Sequence, residues 1–201
     1  MKYNKDTSEK ILNAASSVFE EKGYSGARMQ EIADKASINK ALLHYYYKSK
    51  DKLFELILKR AIQIVFPKIN DILKADIDFF ERIERFTTAY IDMVRKNPHI
   101  PGFVIHEINS NPKRLIKLIA LTGFNLNQFK ETIKAEVEKG TIIDISPDQL
   151  IMNIISLCIL PFIARPIAVN VLLNGDEDYF EKLMEERKTE VSKFIINAIK
   201  K

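Results

Sequence analysis

The chain has 201 residues, of which 46% are hydrophobic and 29% charged, with six glycines, no tryptophan and one cysteine. That is ordinary globular composition, long enough for one substantial core or a core with a small satellite domain, and the lone Cys158 excludes an internal disulfide. The net charge of +4 is unevenly placed: residues 1–60 carry 12 Lys and Arg against 8 Asp and Glu, while residues 61–201 carry 19 of each, the pattern of a small cationic module on a neutral body.

The opening MKYNKDTSEK is polar and predicts no signal peptide; with the single cysteine it fits a reducing cytoplasm. Asp6 and Glu9 have the spacing of a capping box, with Asp in the Ser/Thr role. Ile11, Ala15, Val18 and Phe19 then recur at helical period, and Lys22-Gly23 is a stop. Met29, Ile32, Ala33 and Ala36 mark a short second helix, and Asn39 is a strong N-cap for a third over 40–46. Ser49 caps a longer helix whose Leu53, Phe54, Ile57 and Ala61 share one face, with Pro67 near its kink or end. Two short helices joined by three or four residues form the helix-turn-helix pattern.

Beyond residue 75 the spacing predicts helices over 78–96, 99–111 and 113–139, the last a single long helix stopped by Gly140. Ser146-Pro147 opens the next, with Pro at N1, and it runs to about Ala164. Arg165-Pro166 breaks it, a short helical piece follows to Leu173, Asn174-Gly175-Asp176 is a turn, and 179–199 is the last helix. The predicted fold class is all-α: an N-terminal three-helix helix-turn-helix domain and a larger C-terminal helical domain. The apolar run 150–164 is shorter than the roughly 20 residues that span a bilayer, and Asn153, Ser156 and Pro161 interrupt it. A buried or interface helix is expected there, not a membrane span.

The stretch NKALLHYYYKSKDKL, residues 39–53, sets four consecutive rings among lysines. Four successive helical positions point in all directions, so a three-helix domain cannot bury them all. Tyr47 is expected in the core. His44, Tyr45 and Tyr46 can hydrogen-bond phosphates and pack against sugars, contacts that position a protein on DNA, with core packing as the alternative for an aromatic run. Lys40, Ala41 and Leu42 open the third helix and are the expected base readers: Lys40 for guanine O6/N7, Leu42 for a thymine methyl. Arg28, Met29 and Gln30 open the second helix and lie near the opposite strand. Lys50 follows the Ser49 cap, where its ammonium and the helix end can face one phosphate.

Residues 11–54 resemble the TetR family of bacterial transcription regulators. Phe19, Gly23, Tyr24, Ile32, Ala33, Ala36, Leu43, Tyr47, Ser49, Lys50, Asp51 and Leu53 fall in register with the family pattern. Ser37 stands where its turn usually has Gly, Arg28 where the second helix is usually capped by Thr, Leu42 replaces a frequent Thr, and His44 the usual Tyr. The resemblance implies a DNA-binding domain over 1–50, continuing into a linking helix at 50–73, and a ligand-binding and dimerisation domain over 51–201. It implies a homodimer through the helices at about 148–164 and 179–199, double-stranded DNA with a pseudo-palindromic operator, and a small-molecule effector that releases a repressor. The DNA-binding set is Arg28, Met29, Gln30, Asn39, Lys40, Ala41, Leu42, His44, Tyr45, Tyr46 and Lys50. The candidate pocket lining is Tyr90, Phe103, His106, Phe124, Cys158 and Phe162, with plain core packing as the alternative at each.

No catalytic residue, metal or cofactor is predicted. His106 beside Glu107 is no ligand pair, because adjacent helical residues point apart. The competing functions are a small helical enzyme, for which no phosphate loop or nucleophile motif appears, and a lipid- or membrane-surface-binding protein using the 150–164 run.

Overall fold

The computed structural model describes residues 5–201, and of His99 the backbone only. The described residues form eleven α-helices and one π-helical segment, in the order α1 (Lys5–Gly26), α2 (Met29–Lys35), α3 (Lys40–Tyr46), α4 (Lys50–Lys74), α5 (Phe79–Lys96), α6 (His99–Ser110), α7 (Pro112–Ala120), α8 (Asn127–Glu138), α9 (Pro147–Ile163), α10 (Arg165–Ile167), the π segment (Ala168–Leu172) and α11 (Glu177–Ile199). The all-α class expected from sequence is what the chain adopts. The sole pairing of extended backbone among the described residues is one bridge between Ile142 and Lys200.

Local chemistry accounts for most boundaries. Gly23, at φ 67 and ψ 176, interrupts α1 at the predicted stop. Asn39 Oδ1 accepts from the Leu42 amide at 2.7 Å and starts α3. Ser37 takes φ 55 in the turn before it, the left-handed conformation that a family glycine would accept without strain. Ser49 Oγ accepts from the Lys52 amide at 3.2 Å at the head of α4, which runs through Pro67 to Lys74. Asp78 and Asp176 cap α5 and α11 through their carboxylates.

Two expectations are corrected. Asp6 lies inside α1 and is not its cap, and the Glu9 carboxylate pairs with Arg60 at 2.6 and 2.9 Å instead of closing a capping box. The single helix expected over 113–139 is two: α7 ends at Ala120, Gly123 turns the chain at φ 71, and Asn125 Oδ1 accepts from the Asn127 amide to start α8. Apolar periodicity continued across the break and concealed it.

The chain divides into two compact units, the first reaching Ile64 and including Pro98–Ile119, the second made of Val65–Asn97 and Ala120–Lys201. The functional boundary predicted at 50/51 is therefore not the boundary of compactness, because α6 and α7 fold with the N-terminal helices. The core of the first unit is aromatic. Phe54 meets Phe19, Tyr24, Phe103 and His106 at centroid distances of 5.5, 4.9, 5.2 and 5.1 Å. Ile11, Ala15, Ile32, Ala33, Leu43 and Leu58 are fully buried around it. In the second unit α5 packs on α11 and α9, burying Ile83, Ile91 and Val94 with Phe180, Val191 and Ile195. The Arg187 guanidinium donates twice to the Leu157 carbonyl, at 2.9 and 3.2 Å, fastening α11 to α9. No single described helix is long and apolar enough to cross a membrane; α9 with the segment to Leu172 meets the length and composition together, bent by 65°.

Candidate nucleic-acid interface

The third helix buries one side and presents the other. Leu43 is fully buried and Tyr47 nearly so. The Tyr47 hydroxyl shares a 2.6 Å hydrogen bond with Ser8 Oγ on α1, which fixes the end of the helix. Lys40, Ala41, His44 and Tyr45 are exposed, and Leu42 and Tyr46 half-buried. Tyr45 stands 55% exposed, its ring edge-on to Tyr46 at 5.6 Å. The four-ring run therefore splits: one ring is structural, and His44, Tyr45 and Tyr46 line an outer surface. Asn39 is exposed too, but its side-chain oxygen is engaged in the cap.

The second helix contributes its first turn. Arg28 is exposed in an extended conformation, φ −119 and ψ 142, and its amide donates to Glu31 Oε2 at 3.2 Å. Glu31 also accepts from Lys22 Nζ at 2.7 Å, and that bond holds its carboxyl below the usual range. Met29 is half-buried, and the Gln30 amide nitrogen donates to Asp34 at 2.8 Å. Sequence reasoning pointed Lys50 Nζ at a phosphate. Here it turns inward, donating to the Tyr24 carbonyl at 2.7 Å and the Ala27 carbonyl at 3.0 Å, 4.5 Å from the centre of the Tyr24 ring.

A buried ion pair lies in the same unit and was not read from the sequence. Glu107 on α6 has no exposed surface. Arg114 on α7 binds it through two nitrogens at 2.5 and 2.8 Å, and reaches both oxygens of Asp51 on α4 at 2.9 and 3.0 Å. The hydrogen bonds to Glu107, first, and to Asp51 raise the guanidinium above its ordinary value. The available signal was an acid inside the apolar stretch HIPGFVIHEINSN with an arginine seven residues on.

The six residues expected to line an effector pocket are divided between the units, and Tyr90 and Cys158 of the second lie close enough to interact electrostatically. Phe103 and His106 belong to the first, where His106 stacks on Tyr24 at 4.2 Å. In the second, Phe124 meets Phe66 at 4.9 Å and Phe162 meets Phe180 at 6.4 Å. Tyr90 stacks on Phe86 at 5.7 Å, and burial raises its hydroxyl. Cys158 is a free, buried thiol that burial pushes up to about 12. A groove of about 400 Å³ opens instead on α9 and α11, lined by Leu150, Asn153, Leu157, Phe194 and Ile195 among others. No group of three or more His, Cys, Asp or Glu among the described residues is placed to hold a metal ion.

The family described as bacterial regulatory proteins, tetR family, matches residues 11–57. The HTH-type transcriptional repressor NicS of Pseudomonas putida is 29% identical over 158 residues, 76% of this chain and 74% of that protein. The HTH-type transcriptional activator FasR of Mycolicibacterium smegmatis is 32% identical over 84 residues, 42% of this chain but only 38% of its own length. Among solved structures, a mutant of HlyIIR with residues 169–186 replaced by a linker superposes with a TM-score of 0.67 at 25% identity, covering 98% of this chain and 96% of that one.

Proposed function

The chain belongs to the TetR family of bacterial transcription regulators, and from that premise we propose that it is a cytoplasmic, dimeric repressor released from a pseudo-palindromic operator by a small-molecule effector. The observation that carries the DNA-binding face is the division of α3: Leu43 and Tyr47 are buried while Lys40, Ala41, His44 and Tyr45 are exposed. Lys40, Ala41 and Leu42 read base edges in the major groove. Arg28, Met29, Gln30, His44, Tyr45 and Tyr46 hold the backbone, and Asn39 fixes the angle at which α3 enters. Residues 1–50 form the DNA-binding domain and 51–201 the ligand-binding and dimerisation domain, with α4 as the link.

Dimerisation through α9 and α11 is supported by the apolar side chains these helices leave outside. Phe194, 65% exposed, lines the groove on these two helices, and Met152 and Leu160 of α9 are 52 and 61% exposed; exposed apolar surface marks interaction sites. A twofold dimer sets its recognition helices about one DNA turn apart, roughly 34–36 Å. An effector that prefers a body conformation with another spacing lowers operator affinity by the ratio of its affinities for the two states. The repressor sign follows NicS, named a transcriptional repressor, of which the chain spans 74%.

The test is selection of bound duplexes from a random pool by the purified protein at about 150 mM salt, where non-specific binding is weak. An enriched inverted repeat is expected. A folded dimer that enriches no motif, with or without added metabolite extracts, refutes the proposal.

A further inference from the structure

We infer that the segment after α9, residues 165–172, is a docking knob that seats in the α9–α11 groove of a second copy of this chain, each copy filling the groove of the other. The inference rests on the dimeric reading and names the contacts that make the dimer. Ile167, Val171 and Leu172 are 63, 69 and 73% exposed, and Leu160 and Ile163 are exposed just before them. The stretch from Leu160 to Leu173 holds one charged residue, Arg165. Its guanidinium turns back onto α11, to Glu177 at 2.7 Å and Glu181 at 2.9 Å, and lies 4.7 Å from the centre of the Phe180 ring. The outward side chains are therefore uncharged, and exposed apolar surface marks interaction sites. The segment is firmly built. Val169 is buried against Phe180 and Met184, with Phe162, Ala168 and Leu173 packed on them. The π segment thus turns Val169 inward and leaves Val171 and Leu172 outside; π turns are uncommon and recur at functional sites.

The occupant follows from where knob and groove lie along one chain. The groove is apolar too, with Leu150, Leu157, Phe194 and Ile195 in its walls beside Asn153. Asn153 stands ten residues, about 15 Å, before the end of α9, and a bend of 65° then carries the segment to Leu172 off the line of that helix. The length of α9 therefore separates the knob from the groove of its own chain. A second copy meets no such obstacle. In a twofold dimer contacts are reciprocal, so two α9 helices that cross antiparallel at Leu160 set residue 153 of each opposite residue 167 of the other. Asn153 and Leu160 are seven residues apart, about two helical turns, and face the same way; Leu160, at the crossing, is 61% exposed. The spacing of seven on either side of Leu160 thus brings knob and groove into one register. The run Asp176-Glu177-Asp178 next to the knob is acidic and exposed, which disfavours an anionic bilayer as the partner.

The experiment cross-links full-length variants that each carry one added cysteine, Asn153→Cys, Leu160→Cys and Ile167→Cys, with a short bis-maleimide. Size-exclusion chromatography with light scattering gives the oligomeric state of the same samples. All three positions are exposed, so each variant should fold as wild type does, and the native Cys158 is buried away from the reagent. Leu160→Cys should link to itself. Asn153→Cys and Ile167→Cys should each stay unlinked alone and link to one another when co-expressed. Leu172→Asp should raise the dimer dissociation constant at least about ten-fold, because the new carboxylate would have to enter an apolar groove. A dimer in which the mixed pair does not link, or in which Ile167→Cys links to itself, overturns the inference and leaves the dimeric reading standing. An unchanged dissociation constant in Leu172→Asp overturns it as well. A dimer without the mixed link that floats with phosphatidylglycerol vesicles gives the knob to a lipid surface instead. Wild-type protein that is a monomer refutes the dimeric reading, and the inference with it.

Discussion

Replacement of Arg114 by Met should be among the most damaging single changes in the first unit. The substitution keeps the length and apolar stem of the side chain but strands Glu107, which is fully buried and takes both of its short hydrogen bonds from this guanidinium. Breaking a buried pair from one side costs about 3–5 kcal/mol, most of it the burden of an uncompensated charge. The other arm of Arg114 goes to Asp51, whose side chain is 52% exposed, and an exposed pair contributes about 0–1 kcal/mol. The two arms can therefore be told apart. Arg114→Met should lose about 3–5 kcal/mol, Asp51→Asn no more than about 1. The double variant Glu107→Gln/Arg114→Met should recover at least about 1 kcal/mol relative to Arg114→Met, because a neutral amide is cheaper to bury than a charge. The assay is urea unfolding followed by circular dichroism, since the chain has no tryptophan to report on. An Arg114→Met variant within about 1 kcal/mol of wild type, or an Asp51→Asn variant as unstable as it, would refute the reasoning.

Other outcomes follow from single sites. Ser37→Gly should stabilise the protein by about 1 kcal/mol in the same urea assay, because the residue holds φ 55 without being glycine. Leu42→Ala should change the preferred base at one position per half-site in random-pool selection and leave the repeat spacing intact. Phe194→Asp should convert a dimer into a monomer in size-exclusion chromatography with light scattering, since it sets a charge on the 65%-exposed apolar position of α11. The buried Cys158 thiol, pushed up to about 12 from an ordinary 9.0, should resist a thiol reagent at pH 8 until the chain is unfolded. The unfolded thiol ionises first as pH rises, so the unfolded state binds fewer protons, and stability should fall between about pH 9 and 12.

What could be read from the sequence was whatever is local. Asn39, Ser49, Gly23 and the Asn174-Gly175 turn act within a few residues of themselves, and each stands where its side-chain or backbone chemistry predicts. The third-helix face was legible for the same reason: Leu43 and Tyr47 are one helical turn apart, and both are buried. The break between α7 and α8 was hidden because apolar spacing continued on both sides of Gly123. The inward turn of Lys50 depends on carbonyls 23 and 26 residues away, which no periodicity encodes. The packing of His106 on Tyr24 and of Phe103 on Phe54 joins helices far apart in sequence, which an aromatic residue does not announce by itself.

The membership of α6 and α7 in the first unit has a consequence for how the protein is made. Phe103 and His106 cover Phe54 and Tyr24, and Arg114 anchors Asp51, yet the intervening residues 65–97 belong to the other unit. A nascent chain that has released only its first 64 residues lacks these partners, and its Phe54 and Tyr24 face water. The DNA-binding half is thus completed only when residue 119 has left the ribosome, a long-range closure of the kind that slows folding. Until then the regulator is held back from the chromosome by its own order of synthesis.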